Sequence, residues 1–194
     1  MKIGIDVSQV VYSNTGVSNY LAKLVENLLK ADSENEYVLF FSSLRRDLDL
    51  SIFKVQESPR VTIKTFKFPP ILLDYVWNRL HIMPIEWLIG DVDIFITSDW
   101  TEPPTKKSKK ATIIYDLIVY KYPEETHSKT EFSPLKLLIS PNIVASQKRK
   151  LTWVKKESDI IFTISQSSKK DIEEILKIES NKIKVIYPAI HPIK

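Results

Sequence analysis

Cysteine is absent from the chain, which excludes disulfides, thiolate zinc sites and a cysteine nucleophile. The three histidines, His81, His127 and His191, are far apart and lack the spacing of metal ligands, so we expect no metal site. Only three glycines occur, and none follows the first predicted strand in the G-x-G-x-x-G pattern of dinucleotide-binding enzymes. The sequence therefore disfavours glycine-rich phosphate loops and a dinucleotide-dependent oxidoreductase.

Long apolar runs are also missing, since none approaches the roughly 20 residues that a membrane span needs. The chain opens directly into a predicted strand without a signal peptide, so we expect a cytoplasmic protein. The apolar content of 43% and the charged content of 27% are ordinary for a globular protein. A chain of 194 residues suits one domain, with two small domains as the alternative. The net charge of +4 suits an anionic ligand or membrane surface, but also a lysine-rich protein without either partner.

Residues 1–30 have the pattern of a strand followed by a helix. The run Ile3–Val7 is short and apolar, which predicts a buried strand, and from Val17 to Leu29 apolar residues recur at helical spacing. Gly16 lies where the helix should begin, and free N–H groups and the helix dipole favour an anion at such a position. A glycine there also lets a ligand approach the backbone closely. A tight turn without any ligand is an equally good interpretation.

Strands and helices alternate along the rest of the chain. The predicted strands are Tyr37–Phe41, Val61–Thr65, Val92–Ile96, Ala111–Tyr115, Asp159–Ile164 and Lys182–Ile186, and the predicted helices are 71–80, 85–89, 142–156 and one after Ser165. This alternation predicts an α/β fold with a Rossmann-like, doubly wound, mainly parallel sheet and helices on both faces. Ligands of such sheets bind beyond the carboxyl ends of the strands. The loops of interest are therefore 8–16, 98–104, 115–124 and 164–168.

Two stretches are rich in lysine. The run from Lys106 to Lys110 precedes a strand and is predicted to be a solvated edge, with a binding role as the alternative. The segment from Phe132 to Lys156 combines leucines with lysines and an arginine, so a basic amphipathic surface could contact anionic lipid there. Pro134 and Pro141 argue against one continuous helix through that segment.

Four motifs follow one another in a distinctive order. They are Asn14-Thr15-Gly16-Val17-Ser18-Asn19-Tyr20, then 92–95 with a loop ending in Pro103-Pro104, then 113–118 leading to Tyr122-Pro123-Glu124, and finally 158–172 with 182–188. In order and spacing these motifs resemble the amino-terminal domain of a family 4 (group 1) glycosyltransferase of the GT-B architecture. The resemblance covers nearly the whole chain and is most specific in the fourth motif.

The resemblance implies one half of a two-domain enzyme. Residues 1–187 would be the Rossmann-like acceptor-side domain and residues 188–194 the start of the interdomain linker. The implied partner is a carboxyl-terminal domain, expected to be missing here, that holds the nucleotide-sugar donor, so the isolated chain should be inactive. The implied reaction moves a sugar to a saccharide or lipid-linked saccharide, with retention, in the cytoplasm or at the inner face of the membrane. No metal and no covalently bound cofactor are expected.

The resemblance also implies roles for particular residues. The N–H groups of Gly16 and Val17 would face the donor phosphates and stabilise the charge on the departing diphosphate. Asp116 is the candidate catalytic residue, which could orient the acceptor hydroxyl or only cap a turn. Tyr115 stands where many members have histidine, and its hydroxyl can donate a hydrogen bond but is no base near neutral pH, since its reference pKa is about 10. Ser165 is either an acceptor ligand or a helix N-cap.

Aromatic side chains are the remaining acceptor-binding candidates, because the apolar faces of sugars stack on aromatic rings. The candidates are Trp77, Trp87, Trp100 and Tyr122, and for each of them core or rim packing is the alternative. A different function also stays open, namely a non-catalytic Rossmann-like module that binds an anionic ligand or nucleic acid. Nucleic acid is disfavoured because the chain lacks basic and aromatic residues interleaved on a strand.

Overall fold

The computed structural model describes residues 1–12, 15–53, 58–98, 100–122 and 143–188. Within these residues seven strands form one sheet in which every neighbouring pair is parallel, in the order β3-β2-β1-β4-β5-β6-β7. The strands are β1 (Lys2–Asp6), β2 (Glu36–Ser42), β3 (Val61–Phe66), β4 (Ile94–Thr97), β5 (Lys109–Ile114), β6 (Ile160–Thr163) and β7 (Ile183–Val185). The predicted Rossmann-like, doubly wound sheet is confirmed.

The helices connect these strands much as the sequence predicts. They are α1 (Gly16–Ala31), α2 (Pro70–Leu73, continued by π-helix Asp74–Arg79), α3 (Glu86–Ile89), α4 (Ile118–Lys121), α5 (Ile143–Glu157) and α6 (Gln166–Asp171, continued by π-helix Ile172–Leu176). Short 3-10 turns occupy Ser8–Val11, Leu50–Phe53 and Ser180–Lys182. The start predicted for the helix at residue 142 lies outside the described residues, as do Asn14, Pro123, Glu124, Pro134, Pro141 and residues 189–194.

Strand β1 lies at the point where the strand order reverses. Ile3 is in register with Tyr37 of β2 on one side and with Ile94 of β4 on the other. The connections from β1 and β4 therefore leave the sheet in opposite directions and open a crevice beyond the carboxyl ends of these two strands. In open α/β sheets this crevice is the usual place for a ligand.

Helices cover both faces of the sheet, and alternate residues of β2 show the two layers. Tyr37 and Leu39 pack in one apolar cluster with Leu21 of α1, whereas Phe40 packs in another with Trp77. A third cluster lies under α5 and α6. Since side chains alternate along a strand, a continuous apolar run in β2 is what burial on both faces requires.

The lysine run before β5 is only partly solvated. Lys110 is 2% exposed, and its Nζ lies 2.7 Å from Glu157 Oε2 and 3.4 Å from Oε1 of the fully buried Glu102. The prediction of a solvated edge is wrong for Lys110 because β5 already begins at Lys109, and every residue of this strand after Lys109 is buried. Burial opposes ionisation of Glu157, but Lys110 and His81 outweigh it and hold the pKa of this carboxyl below its ordinary value.

We predict that Lys110→Met lowers the free energy of unfolding by about 3–5 kcal/mol, because it leaves the buried Glu102 carboxylate without its cation. The matched control is Lys109→Met, one residue earlier at the exposed start of β5, which should change this free energy by less than about 0.5 kcal/mol. Urea unfolding followed by tryptophan fluorescence measures both. Equal losses from the two variants would contradict the buried ion pair.

Gly4 and Gly16 give a second matched pair. A Cβ at Gly4 would lie 2.7 Å from the ring of the fully buried Phe95 and 3.0 Å from Ile89 Cδ1, whereas one at Gly16 would meet nothing within 4 Å. Gly4→Ala should therefore cost about 1–3 kcal/mol of stability through overpacking. Gly16→Ala should leave stability unchanged or raise it by up to about 1 kcal/mol. Thermal and urea unfolding of the two variants test the difference.

Candidate functional site

Two cavities open at the carboxyl edge of the sheet, around the switch point. The first, the β1 cavity, has a volume of about 270 Å3, and residues that line it include Asp6, Ser8, Gln9, Ser42, Asp74 and Trp100. The second, the β5 cavity, has a volume of about 260 Å3, and residues that line it include Val17, Trp100, Tyr115, Asp116, Gln147 and Lys150. Trp100 borders both cavities, so they form one composite site.

The start of α1 faces the β5 cavity. Thr15 is the N-cap, and its Oγ1 accepts the Ser18 N–H at 3.2 Å. The N–H groups of Gly16 and Val17 have no intrahelical acceptor, because the first turn of any helix lacks one. The half-buried Val17 side chain lines the cavity together with Tyr115 and Asp116. The structure thus brings the predicted phosphate-facing turn and the predicted acceptor loop to the same place.

Tyr115 and Asp116 follow β5 directly but have different environments. Tyr115 is 7% exposed, its hydroxyl lies 3.2 Å from Ser98 Oγ, and its ring packs edge-on against Tyr20. Asp116 is exposed, and its Oδ1 accepts the Ile118 N–H at 3.0 Å, which closes a turn directly before α4. The turn-capping interpretation of Asp116 therefore holds, and its position in the cavity keeps the acceptor role as a prediction.

Trp100 is held by hydrogen bonds to both its side chain and its backbone. Its indole Nε1–H donates to Gln9 Oε1 at 3.0 Å, and its carbonyl accepts the Asn78 amide at 2.9 Å. Asn78 is 1% exposed and also accepts the Glu102 N–H at 2.9 Å. The loop that carries Trp100 is therefore held by α2, across the crevice. Sequence reasoning missed Asn78, because a polar residue within a helical stripe gives no sign of its partner.

Asp6 is the second residue that sequence reasoning missed. It ends β1, is 5% exposed, and accepts the Ser8 N–H at 2.9 Å. Burial raises the pKa of this carboxyl, while the bonds from Ser8 and the charge of Lys150 oppose the rise. A signal was present in the sequence, since Asp6 is the one charged residue in the apolar run Ile3–Val7 and stands at its carboxyl end.

Ser165 and Tyr122 lie outside both cavities. Ser165 Oγ accepts the Ser168 N–H at 3.0 Å, which is the predicted N-cap, and Ser168 Oγ in turn donates to the Tyr115 carbonyl at 2.9 Å. Ser165 thus supports the loop after β5 through Ser168. Tyr122 is 47% exposed at the end of α4.

Two of the aromatic candidates are corrected by the structure. Trp77 is fully buried in the core and donates its indole N–H to the Met83 carbonyl, so core packing holds for this residue and stacking on a sugar does not. Trp87 is 63% exposed but belongs to α3, and its neighbour Glu86 lines a cavity with Lys2 and Asp93 at the amino edge of the sheet. Its assignment to the acceptor site is wrong because helical spacing does not reveal which edge a helix approaches.

The described residues contain no group of three or more histidine, aspartate or glutamate side chains placed to hold a metal ion. None of the described helices has the length and apolar content required to cross a bilayer. The chain matches no family model, and no curated protein is similar to it.

The raised pKa of Asp6 predicts a pH-dependent effect of Asp6→Asn. The folded state binds the Asp6 proton more tightly than the unfolded state, so the parent chain loses stability as pH rises from 3.8 through the raised pKa. The asparagine variant has no such loss, so its stability relative to the parent should increase over that window. Urea unfolding from about pH 3 to about pH 8 measures the difference.

The control is Asp91→Asn, which removes one formal charge from an exposed position at the amino edge. If the stability of Asp6→Asn relative to the parent stayed constant or fell with rising pH, the burial of an ionisable Asp6 would be disproved.

Proposed function

We propose that this chain is the acceptor-side domain of a glycosyltransferase that transfers a sugar from a nucleotide sugar to a saccharide or lipid-linked saccharide. One observation carries the proposal: the start of α1 and the loop after β5 line one cavity, through Val17, Tyr115 and Asp116. These are the two motifs whose resemblance implied donor-facing and acceptor-facing roles, and they are separated by nearly 100 residues. Their meeting at a switch point supports the proposal.

The chemistry follows from what each group offers. Departure of a nucleoside diphosphate builds negative charge on its leaving oxygens, and N–H groups at a helix start favour such charge. Lys150 adds a cation to the same cavity; it is 2% exposed and its Nζ donates to the Ser98 carbonyl. The free carboxylate oxygen of Asp116 can accept a hydrogen bond from an acceptor hydroxyl. Tyr115 positions the loop through its hydroxyl contact to Ser98.

The proposed partner is a second Rossmann-like domain that binds the nucleotide part of the donor. In this arrangement the described cavities would bind the acceptor saccharide and the departing phosphate. A retaining outcome is part of the proposal through the resemblance alone. Location in the cytoplasm or against the inner face of the membrane is likewise part of the proposal.

We predict that uridine and guanosine diphosphate sugars shift the backbone amide resonances of Gly16, Val17 and Ser18 in an NMR titration of the chain. Gly16→Asp should weaken this binding roughly tenfold or more, because a carboxylate at the helix start repels the diphosphate. Gly16→Asn is the matched control: it adds a side chain of the same shape without the charge, so both variants lose the close approach to the backbone and only Gly16→Asp adds repulsion. Gly16→Asn should therefore bind more tightly than Gly16→Asp. Neither variant should lose stability, since Gly16 has open space around it and acidic residues favour a helix start.

The competing function makes a different prediction in the same titration. If a thymidine oligonucleotide shifted these amides and the nucleotide sugars did not, the chain would be a nucleic-acid module and the transferase proposal would fail. Equal binding of nucleotide sugars by Gly16→Asp and Gly16→Asn would also contradict the proposed phosphate position.

A further inference from the structure

The side chain of Gln9, which lines the β1 cavity, has a hydrogen-bond donor that no described residue accepts. Gln9 is 8% exposed, and its Oε1 accepts the Trp100 indole N–H at 3.0 Å. An indole N–H can only donate, so this contact fixes the orientation of the Gln9 amide and makes its other end the NH2 group. Among the residues that the structure describes, this NH2 group has no hydrogen-bond acceptor. The cavity thus offers an oriented, nearly buried donor.

The lining of the same cavity also contains a hydrogen-bond acceptor, the Asp6 carboxyl group at the end of β1. Asp6 is 5% exposed and lines the cavity, and among described backbone groups the Ser8 N–H donates to it. A carboxyl group keeps acceptor positions in either protonation state, so Asp6 retains acceptor capacity towards a ligand. A donor beside an acceptor suits neighbouring hydroxyl groups, because each hydroxyl can both donate and accept.

The charges around the β1 cavity select an uncharged ligand. Asp74, its second carboxylate, lies 3.0 Å from Arg149 Nη2, and the charge of Lys150 acts on Asp6. Each carboxylate therefore already has a nearby cation, so a cationic ligand would gain little. An anionic ligand would gain little as well, because the same pairing occupies the two cations, so a charged ligand of either sign would lose its hydration without a net attraction in return.

The volume and the apolar lining of the β1 cavity further restrict the kinds of ligand that fit. At about 30 Å3 for each water molecule in the liquid, the cavity of about 270 Å3 has the volume of about nine waters, which suits one sugar ring. Phe68, Leu73 and Trp100 contribute apolar lining. A pyranose matches this mixture, since it presents hydroxyls at its edge and C–H groups on its faces.

We infer that the β1 cavity is the subsite for one uncharged pyranose ring of the acceptor, held through its hydroxyls by Asp6 and Gln9. The inference rests on the proposed function and sharpens it in two respects. It assigns the acceptor ring to the β1 cavity, beside Trp100, and leaves the β5 cavity to the departing phosphate. It also excludes uronic acids and other anionic sugars as the residue that occupies this subsite.

The side-chain amides of Gln9 and Gln147 provide the test, because Gln9 lines the β1 cavity and Gln147 the β5 cavity. The chain is titrated in NMR experiments with the methyl pyranosides of glucose, galactose and mannose, and with methyl glucuronide and methyl galacturonide. We expect at least one neutral glycoside to shift the Gln9 amide and to leave the Gln147 amide in place. The matching uronide should bind roughly tenfold more weakly or not at all. Asp6→Asn should weaken the neutral glycoside roughly tenfold, since a hydrogen bond to a charged group is lost.

Asp91→Asn is the matched control and should bind the glycoside as the parent does, because Asp91 lies at the amino edge. The inference is overturned if no glycoside binds, if a uronide binds as well as its neutral counterpart, or if the shifts appear at Gln147. Those results would leave the proposed function standing provided that nucleotide sugars still shift the Gly16 and Val17 amides. If nucleotide sugars did not shift the Gly16 and Val17 amides, the proposed function itself would be disproved.

Discussion

The pairing of β1 with β2 on one side and β4 on the other is the constraint on which the site depends. Two parallel neighbours hold β1 in the middle of the sheet, and its carboxyl end can only emerge into the crevice between them. Asp6 is the last residue of that strand, and the β1–α1 connection must cross the same edge before α1 begins at Gly16. The cavities are therefore a consequence of strand order rather than of any single side chain.

A buried polar network supports the crevice from the other side of β4. Glu102 accepts hydrogen bonds from Thr97 Oγ1 at 2.7 Å and Thr112 Oγ1 at 3.1 Å, next to the Lys110 ammonium. The loop between Trp100 and Glu102 is thus attached to two strands through side chains and to α2 through Asn78. Buried networks of this kind define one arrangement well, because every unpaired member would be costly. They place the Trp100 ring with a precision that loop backbone alone does not give.

The sequence predicted the fold well because its signals are local. The apolar runs of β2 and β6 and the helical stripe of α1 each lie within one segment, and strand–helix alternation then limits the topology. Thr15 and Ser165 were recoverable in the same way, since an N-cap acts on residues two or three positions along the chain. The alternation of strands and helices alone also predicted that the crevice lies at the carboxyl edge of the sheet.

The interior of the site was much less predictable, for a physical reason. The orientation of Gln9 depends on Trp100, the position of Trp100 depends on Asn78, and burial of Lys110 depends on Glu157, each pair being far apart in sequence. Periodicity reports that Trp77 and Trp87 belong to helices, but it does not say that one is in the core and the other at the far edge. Long-range pairing of polar groups is a property of packing, and packing is not periodic.

Trp100 forms a shared wall between two chambers, and this geometry has an allosteric consequence. The indole N–H is held by Gln9, so a ligand that displaced the ring towards the neighbouring chamber would have to break this hydrogen bond, and ligands on the two sides would be coupled through it. Thermodynamic linkage makes such an influence mutual: whatever one occupant does to the affinity of its neighbour, the neighbour returns in equal measure. A single aromatic ring would thereby couple the affinities of two adjacent ligands without a hinge or a moving domain.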